Sequence, residues 1–169
     1  ASDATRDARI HLSGIPAIYW LWEAKRSSLL CRVIWQFVPC ENLLDNPDND
    51  CGSGDSHLDP DTIYADDGPN CTRRKLFHAK IRDIYNPILK NVLREYKAGG
   101  LLPNADYVDL FDVRFQDVHI NNGDCFHPST DGQGLLAQQQ WCRSPWGRSD
   151  PQCPQSPVLP GLPLLLLDN

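Results

Sequence analysis

The residues with the clearest chemical potential lie close together in Gly123-Asp124-Cys125-Phe126-His127-Pro128-Ser129. An aspartate three residues before a histidine, in a turn that follows a strand, can orient the imidazole and stabilise its charged form. With the carboxylate on Nδ1, Nε2 is left to take a proton from a nucleophile and return it to a leaving group. Pro128 and a helix beginning near Ser129 would hold the turn rigid, as a catalytic group requires. The bland alternative is a loop histidine that packs or caps locally. Cys125 reads as disulfide-bonded rather than nucleophilic, with Cys142, at the end of the next helix, a partner within reach.

A nucleophile is harder to find. Ser56, in Gly54-Asp55-Ser56, has no apolar strand before it. A nucleophile needs a rigid strand-end turn, so Ser56 reads as a loop residue. The surrounding segment, 41–70, is rich in Asp, Pro, Gly and Asn and has no Lys or Arg. Asp45, Asp48, Asp50, Asp55 and the Asp59/Asp61 pair could wrap calcium through their oxygens. Yet Asp48-x-Asp50-x-Gly52 lacks the third ligand and the closing glutamate of an EF-hand loop. A solvated acidic surface loop is the expectation. Among the histidines, His11 should be packed or hydrogen-bonded in a strand, whereas His57, His78 and His119 have no partner pattern. Asp109 and Asp112 read as edge or loop-facing groups.

The seven cysteines are Cys31, Cys40, Cys51, Cys71, Cys125, Cys142 and Cys153, and no C-x-x-C pair occurs among them. Zinc-site spacing is absent, so no metal or other cofactor is expected. Scattered cysteines favour disulfides and an oxidising, secreted or extracellular setting. Asn70-Cys71-Thr72 is a glycosylation sequon that fits such a route. An odd count leaves at least one thiol free or paired outside the chain.

The elements that must position Asp124 and His127 follow from periodicity. A short strand is expected at 9–15, with helix in parts of 17–35. The longest helix, 72–98, carries Phe77, Ile81, Ile88 and Leu89 at helical spacing. Pro87 should kink it and Gly99-Gly100 should end it. Its Lys and Arg residues read as a solvated face, or one turned toward the acidic loop. A second strand is expected at 105–115 and a last helix at 129–141, with Ser129 as N-cap. A Pro-rich tail occupies 143–169. This order suggests α/β layering with a parallel sheet. Two strands make a poor sheet, so the chain reads as part of one.

Composition limits the partners. The chain has 169 residues, 41% hydrophobic and 22% charged, with a net charge of −6. The length and balance are those of a folded domain. The acidic balance speaks against nucleic acid. No apolar run reaches the length of a membrane span.

Asp124-Cys-Phe-His127-Pro-Ser-Thr-Asp-Gly132-Gln-Gly-Leu-Leu-Ala137 resembles the last block of SGNH/GDSL hydrolases, in which Asp-x-x-His-Pro precedes a helix. His11-Leu-Ser-Gly-Ile-Pro16-Ala-Ile-Tyr19-Trp-Leu-Trp22-Glu23 is similar to a strand-to-helix segment of secreted bacterial members. The similarity covers roughly 8–142, and its specific part is Asp124 to Ala137. The resemblance implies a three-layer, flavodoxin-like α/β fold with a parallel sheet. It also implies an esterase or lipase activity in which Asp124 is the triad aspartate and His127 the general base. In that family the serine sits in Gly-Asp-Ser after the first strand, and the oxyanion-hole Gly and Asn also lie upstream of the segment like 10–23. None of these precedes residue 10 here, and Gly54-Asp55-Ser56 spells the motif in the wrong place. The expectation is therefore a C-terminal portion over 1–142, with 41–70 inserted, whose natural N-terminus lies elsewhere. The nucleophile would come from the N-terminal half of the same domain or from a partner chain, and the substrate would be an ester. The competing expectation is a non-catalytic secreted interaction or structural component on a hydrolase-derived fold.

Overall fold

The computed structural model of the chain describes residues 8–37, 50–52 and 54–153. Cys40, Asp45, Asp48 and most of the Pro-rich tail lie outside them. The described residues form a mixed α/β structure around a small parallel sheet of two strands, β1 (Ile10–Ser13) and β2 (Ala105–Val108). The register runs from Ile10 opposite Ala105 to Ser13 opposite Val108.

Both strands are shorter than the apolar pattern suggests, for identifiable reasons. Beyond β1, the amide N–H of Ile15 is bound by Asn86 Oδ1 at 2.7 Å, and its carbonyl accepts from Asn86 Nδ2 at 3.0 Å. That side chain takes over the backbone groups a longer ladder would use. Between the strand and this clamp, Gly14 lies directly beneath the Tyr107 hydroxyl, where a Cβ would collide. Beyond β2, Asp109 Oδ1 accepts the N–H of Phe111 at 2.9 Å, an Asx-type turn that closes the strand.

Two short helices follow β1: α1 (Ile18–Lys25) and α2 (Leu29–Trp35). On α1, Tyr19, Trp20, Leu21, Trp22 and Lys25 are all buried, so it is a central helix rather than a surface one. Ser28 caps α2 by accepting the N–H of Cys31. Trp22, Trp35 and the Cys31–Cys125 disulfide form the middle of the core with Phe115 and Ile120. A second cluster joins Val108, Leu110 and Val113 to Leu135 and Leu136.

The long helix is present as α3 (Pro69–Lys80), a π-helical stretch Ile81–Tyr85, and α4 (Asn86–Ala98). The expected kink at Pro87 is resolved by the π turn. Proline offers no N–H, and its ring crowds the carbonyl four residues back. Widening the preceding turn, with Asn86 N–H bonded to the Ile81 carbonyl, relieves that crowding. Not all of the apolar stripe points inward. Ile81 and Leu93 are buried, but Ile84, Ile88, Val92 and Tyr96 are exposed.

The last helix, α5 (Thr130–Arg143), starts where the Ser129 hydroxyl accepts the N–H of Gly132 at 3.1 Å. A side chain at Gly132 would strike the His119 carbonyl, so glycine lets the helix start press against the preceding loop.

Candidate active site

The Asp124–His127 turn is assembled from both sides. Its base is an isolated antiparallel bridge between Ile120 and Pro128, with Asn121 N–H on the His127 carbonyl at 2.9 Å. Ser129 N–H donates to the His119 carbonyl at 2.9 Å, which ties the loop to the start of α5. Inside the loop Cys125 has φ of 57°, the left-handed region uncommon for a residue with a Cβ. Helices α1 and α2 grip this same point. Cys31 holds Cys125 by a disulfide, and the Trp35 indole N–H donates to the Cys125 carbonyl at 3.0 Å. The buried Lys25 ammonium donates to Asp117 Oδ1 at 2.7 Å and to Asn122 Oδ1 at 2.5 Å. A covalent bond and three hydrogen bonds thus fix an otherwise exposed turn.

Within it, Asp124 Oδ2 lies 3.0 Å from His127 Nδ1. Its other oxygen accepts the backbone N–H groups of Phe126 at 2.9 Å and His127 at 3.0 Å. Partial burial pushes the carboxyl upward, but these bonds and the imidazole outweigh it and hold Asp124 below the usual carboxylate range. The aspartate is thus anionic at neutral pH and engaged at Nδ1. The imidazole side chain is 72% exposed, which leaves Nε2 open to whatever approaches. This arrangement can orient a histidine as a general base and stabilise its protonated form.

The other sequence expectations fare unevenly. Ser56 opens a 3₁₀ turn (Ser56–Leu58), and its buried hydroxyl has no hydrogen-bond partner. It has neither the strand-end turn nor the imidazole that a nucleophile needs. Asn70 sits half-buried in the first turn of α3. His11 packs between Trp141 and Trp146, as a strand histidine should. His119 Nδ1 accepts the N–H of Gln116 at 3.0 Å. The cysteine pairing differs from the simplest guess: Cys125 joins Cys31 rather than Cys142, and Cys142 joins Cys153. The short span from Cys142 to Cys153 suits a local bridge, whereas Cys125 is turned inward against α2. Cys51 and Cys71 complete the third bridge. Cys40 lies outside the described residues.

The described part of the acidic segment is solvated only in part: 61–66 are exposed, but Asp50 and the Asp67 side chain are buried against α3. Asp50 accepts the Cys71 N–H and lies 3.5 Å from the buried Arg74 guanidinium. It thereby caps α3 from outside. Asp67 and Lys75 form an ion pair at 2.8 Å with both side chains fully buried. Lys75 also donates to the Thr62 carbonyl at 2.7 Å. The basic face of the helix therefore does meet the acidic segment, with Arg74 and Lys75 buried there and Arg82 paired with Asp61 at the surface, while Lys80, Lys90 and Arg94 are exposed. Among the described residues no group of three His, Cys, Asp or Glu is arranged to hold a metal ion.

Two groups escaped the sequence reading. One is Lys25, since nothing local announces its partners about 90 residues away. His78 is the other: its Nε2 lies 3.5 Å from Asp61 Oδ1, and its Nδ1 is buried without a partner. Burial pushes His78 below its ordinary value, against the opposing pull of Asp61. The ring is therefore neutral at pH 7.

Comparison of the chain with protein-family models, curated proteins and solved structures returned no match.

Proposed function

We propose that the chain supplies the Asp–His part of a Ser-His-Asp ester hydrolase of the SGNH/GDSL type. The observation that carries this reading is the Asp124–His127 pair, clamped by α1 and α2, with Nδ1 on the carboxylate and Nε2 open. In this reading His127 takes the proton from a serine hydroxyl as the oxygen attacks an ester carbonyl. It then passes that proton to the departing alcohol, leaving an acyl-serine. A water molecule, deprotonated by the same imidazole, releases the acid and restores the serine. Asp124 stabilises the imidazolium without becoming protonated. The serine and the oxyanion hole would be contributed by the N-terminal half of the domain or by a partner chain, on the three-layer α/β sheet that the resemblance implies. The three disulfides and the Asn70 sequon support secretion and an extracellular setting. No helix among the described residues is long and apolar enough to cross a membrane.

One observation favours a second reading, a non-catalytic secreted component. Asp124 engages two backbone N–H groups besides the imidazole, so the pair also works as a structural staple of its turn. Labelling of the native protein with a fluorophosphonate separates the two readings. Hydrolase function predicts a labelled serine outside the described residues and loss of label in His127→Ala. Label on Ser56 would refute the assignment of roles, and an unlabelled native protein would favour the structural reading.

A further inference from the structure

A cleft of about 420 Å³ opens beyond the carboxyl ends of both strands. Trp20, on the helix that follows β1, forms one wall, and Phe111, Asp112 and Arg114, on the chain that follows β2, form another. His78 of α3 and the stretch 58–61 close the remaining sides. In parallel sheets this is the edge at which ligands bind, because the chain leaves the strands there in variable loops.

The lining tells what kind of ligand fits. Asp59, Asp61 and Asp112 line the cleft with one guanidinium, Arg114, and two of the carboxylates are neutralised from outside the lining, Asp61 by Arg82 and Asp112 by Arg143. A charged ligand finds no excess of opposite charge. What the cleft does offer is carboxylate oxygens as acceptors and guanidinium N–H groups as donors, each already held in place. Asp59 is fixed by the Tyr64 hydroxyl at 2.8 Å and the Asp61 N–H at 3.1 Å. The Arg114 guanidinium carbon sits over the Trp20 ring, 3.8 Å from its centroid. Phe111, tilted against His78 at 4.6 Å, adds aromatic surface. Aromatic carbon beside paired, immobilised donors and acceptors suits a molecule with apolar C–H faces and a rim of hydroxyls.

We propose that this cleft binds a neutral carbohydrate, a pyranose unit whose hydroxyls are held by Asp59, Asp61, Asp112 and Arg114 against Phe111, with the buried Trp20 ring backing the Arg114 guanidinium. Carboxylates accept from vicinal hydroxyls, and the guanidinium donates to a ring or hydroxyl oxygen. Binding is read without hydrolysis, so failure here leaves the ester-cleaving reading standing, and an inert dyad leaves the cleft standing.

The test uses the full chain with its disulfides intact and three soluble probes: maltose, cellobiose and xylobiose. Saturation-transfer NMR should show saturable binding of at least one of them below about 50 mM. Chemical-shift changes should centre on the Trp20 indole and the Arg114 guanidinium. Asp59→Asn and Arg114→Gln, checked for native near-UV circular dichroism, should weaken binding at least about tenfold. Lys90→Ala, in a separate groove beside α4, should leave it unchanged. No saturation by any of the three sugars overturns the assignment. So do shifts confined to other surfaces, or equal affinity in folded cleft variants.

Discussion

Replacing Cys31 and Cys125 together by serine should cost more stability than removing either other bridge. The three disulfides span very different lengths of chain: 94 residues for Cys31–Cys125, 20 for Cys51–Cys71 and 11 for Cys142–Cys153. A cross-link stabilises chiefly by restricting the unfolded chain, and the effect grows with the logarithm of the loop. The Cys51–Cys71 bridge lies inside the longest loop and shortens it to an effective length of about 75 residues. The expected losses are then about 4.5 kcal/mol for Cys31/Cys125, about 3.3 for Cys51/Cys71 and about 2.8 for Cys142/Cys153. Replacing both partners of a bridge avoids stranding a new thiol. Urea unfolding at pH 7 without reductant, with each pair variant compared with the parent, reads the ordering directly. Native geometry adds to the difference, because the Cys31–Cys125 bond also holds the turn carrying His127. If the Cys31/Cys125 variant loses no more than the Cys142/Cys153 variant, the loop-entropy account is wrong for this protein. The turn must then be held by Lys25 and Trp35 instead.

Other outcomes follow from the same structure. Asp117→Ala strips the ionic partner from a buried ammonium, whereas Lys25→Met leaves only an exposed carboxylate behind. The first should cost about 3 kcal/mol and the second about 1, so the melting temperature should fall further for Asp117→Ala. The reverse order would show that Lys25 contributes through packing alone. His78 has its pKa lowered by burial, so its neutral form contributes stability that is full above about pH 6.5 and is lost as pH falls from there toward the lowered value. Urea titrations between pH 7.5 and pH 5 should therefore show a shallower decline in His78→Gln than in the parent; identical slopes would exclude the group. On the proposed hydrolase reading, Asp124→Asn should lower kcat by about 10³–10⁴-fold with little change in KM, while Ser56→Ala leaves ester hydrolysis intact. Lost activity in Ser56→Ala would overturn the assignment of roles.

What could be read from the residue order was whatever depended on local spacing. Asp124-x-x-His127 forms its pair because a three-residue offset in a turn brings the two side chains together wherever the turn is placed. Ser129 caps α5 for the same reason, and the parallel pairing of β1 with β2 follows from helices lying between them. Misreadings arose where distant segments competed for a group. Asn86 ends β1 from 71 residues away. Asp67 seemed a solvated loop residue until Lys75 drew it into the interior. Pro87 announced a bend, but whether a kink or a wider turn absorbs it depends on the packing of Ile81 and Leu93. Likewise Cys125 could be recognised as structural, but its partner lies on a helix that no local pattern connects to it.

The pairing of Ile10 with Ala105 imposes an order on biosynthesis. Strand β1 leaves the ribosome about 95 residues before the strand it needs, a wait of roughly 5–20 s at ordinary elongation rates. During that interval the Cys31 thiol also lacks its partner, while Cys51 and Cys71 are already both available. An early oxidant therefore meets Cys31 with Cys40, Cys51 and Cys71 as its neighbours in the emerging chain. Any bridge Cys31 forms before Cys125 is made is therefore non-native, and only thiol–disulfide exchange can then reach the arrangement in which His127 stands clear.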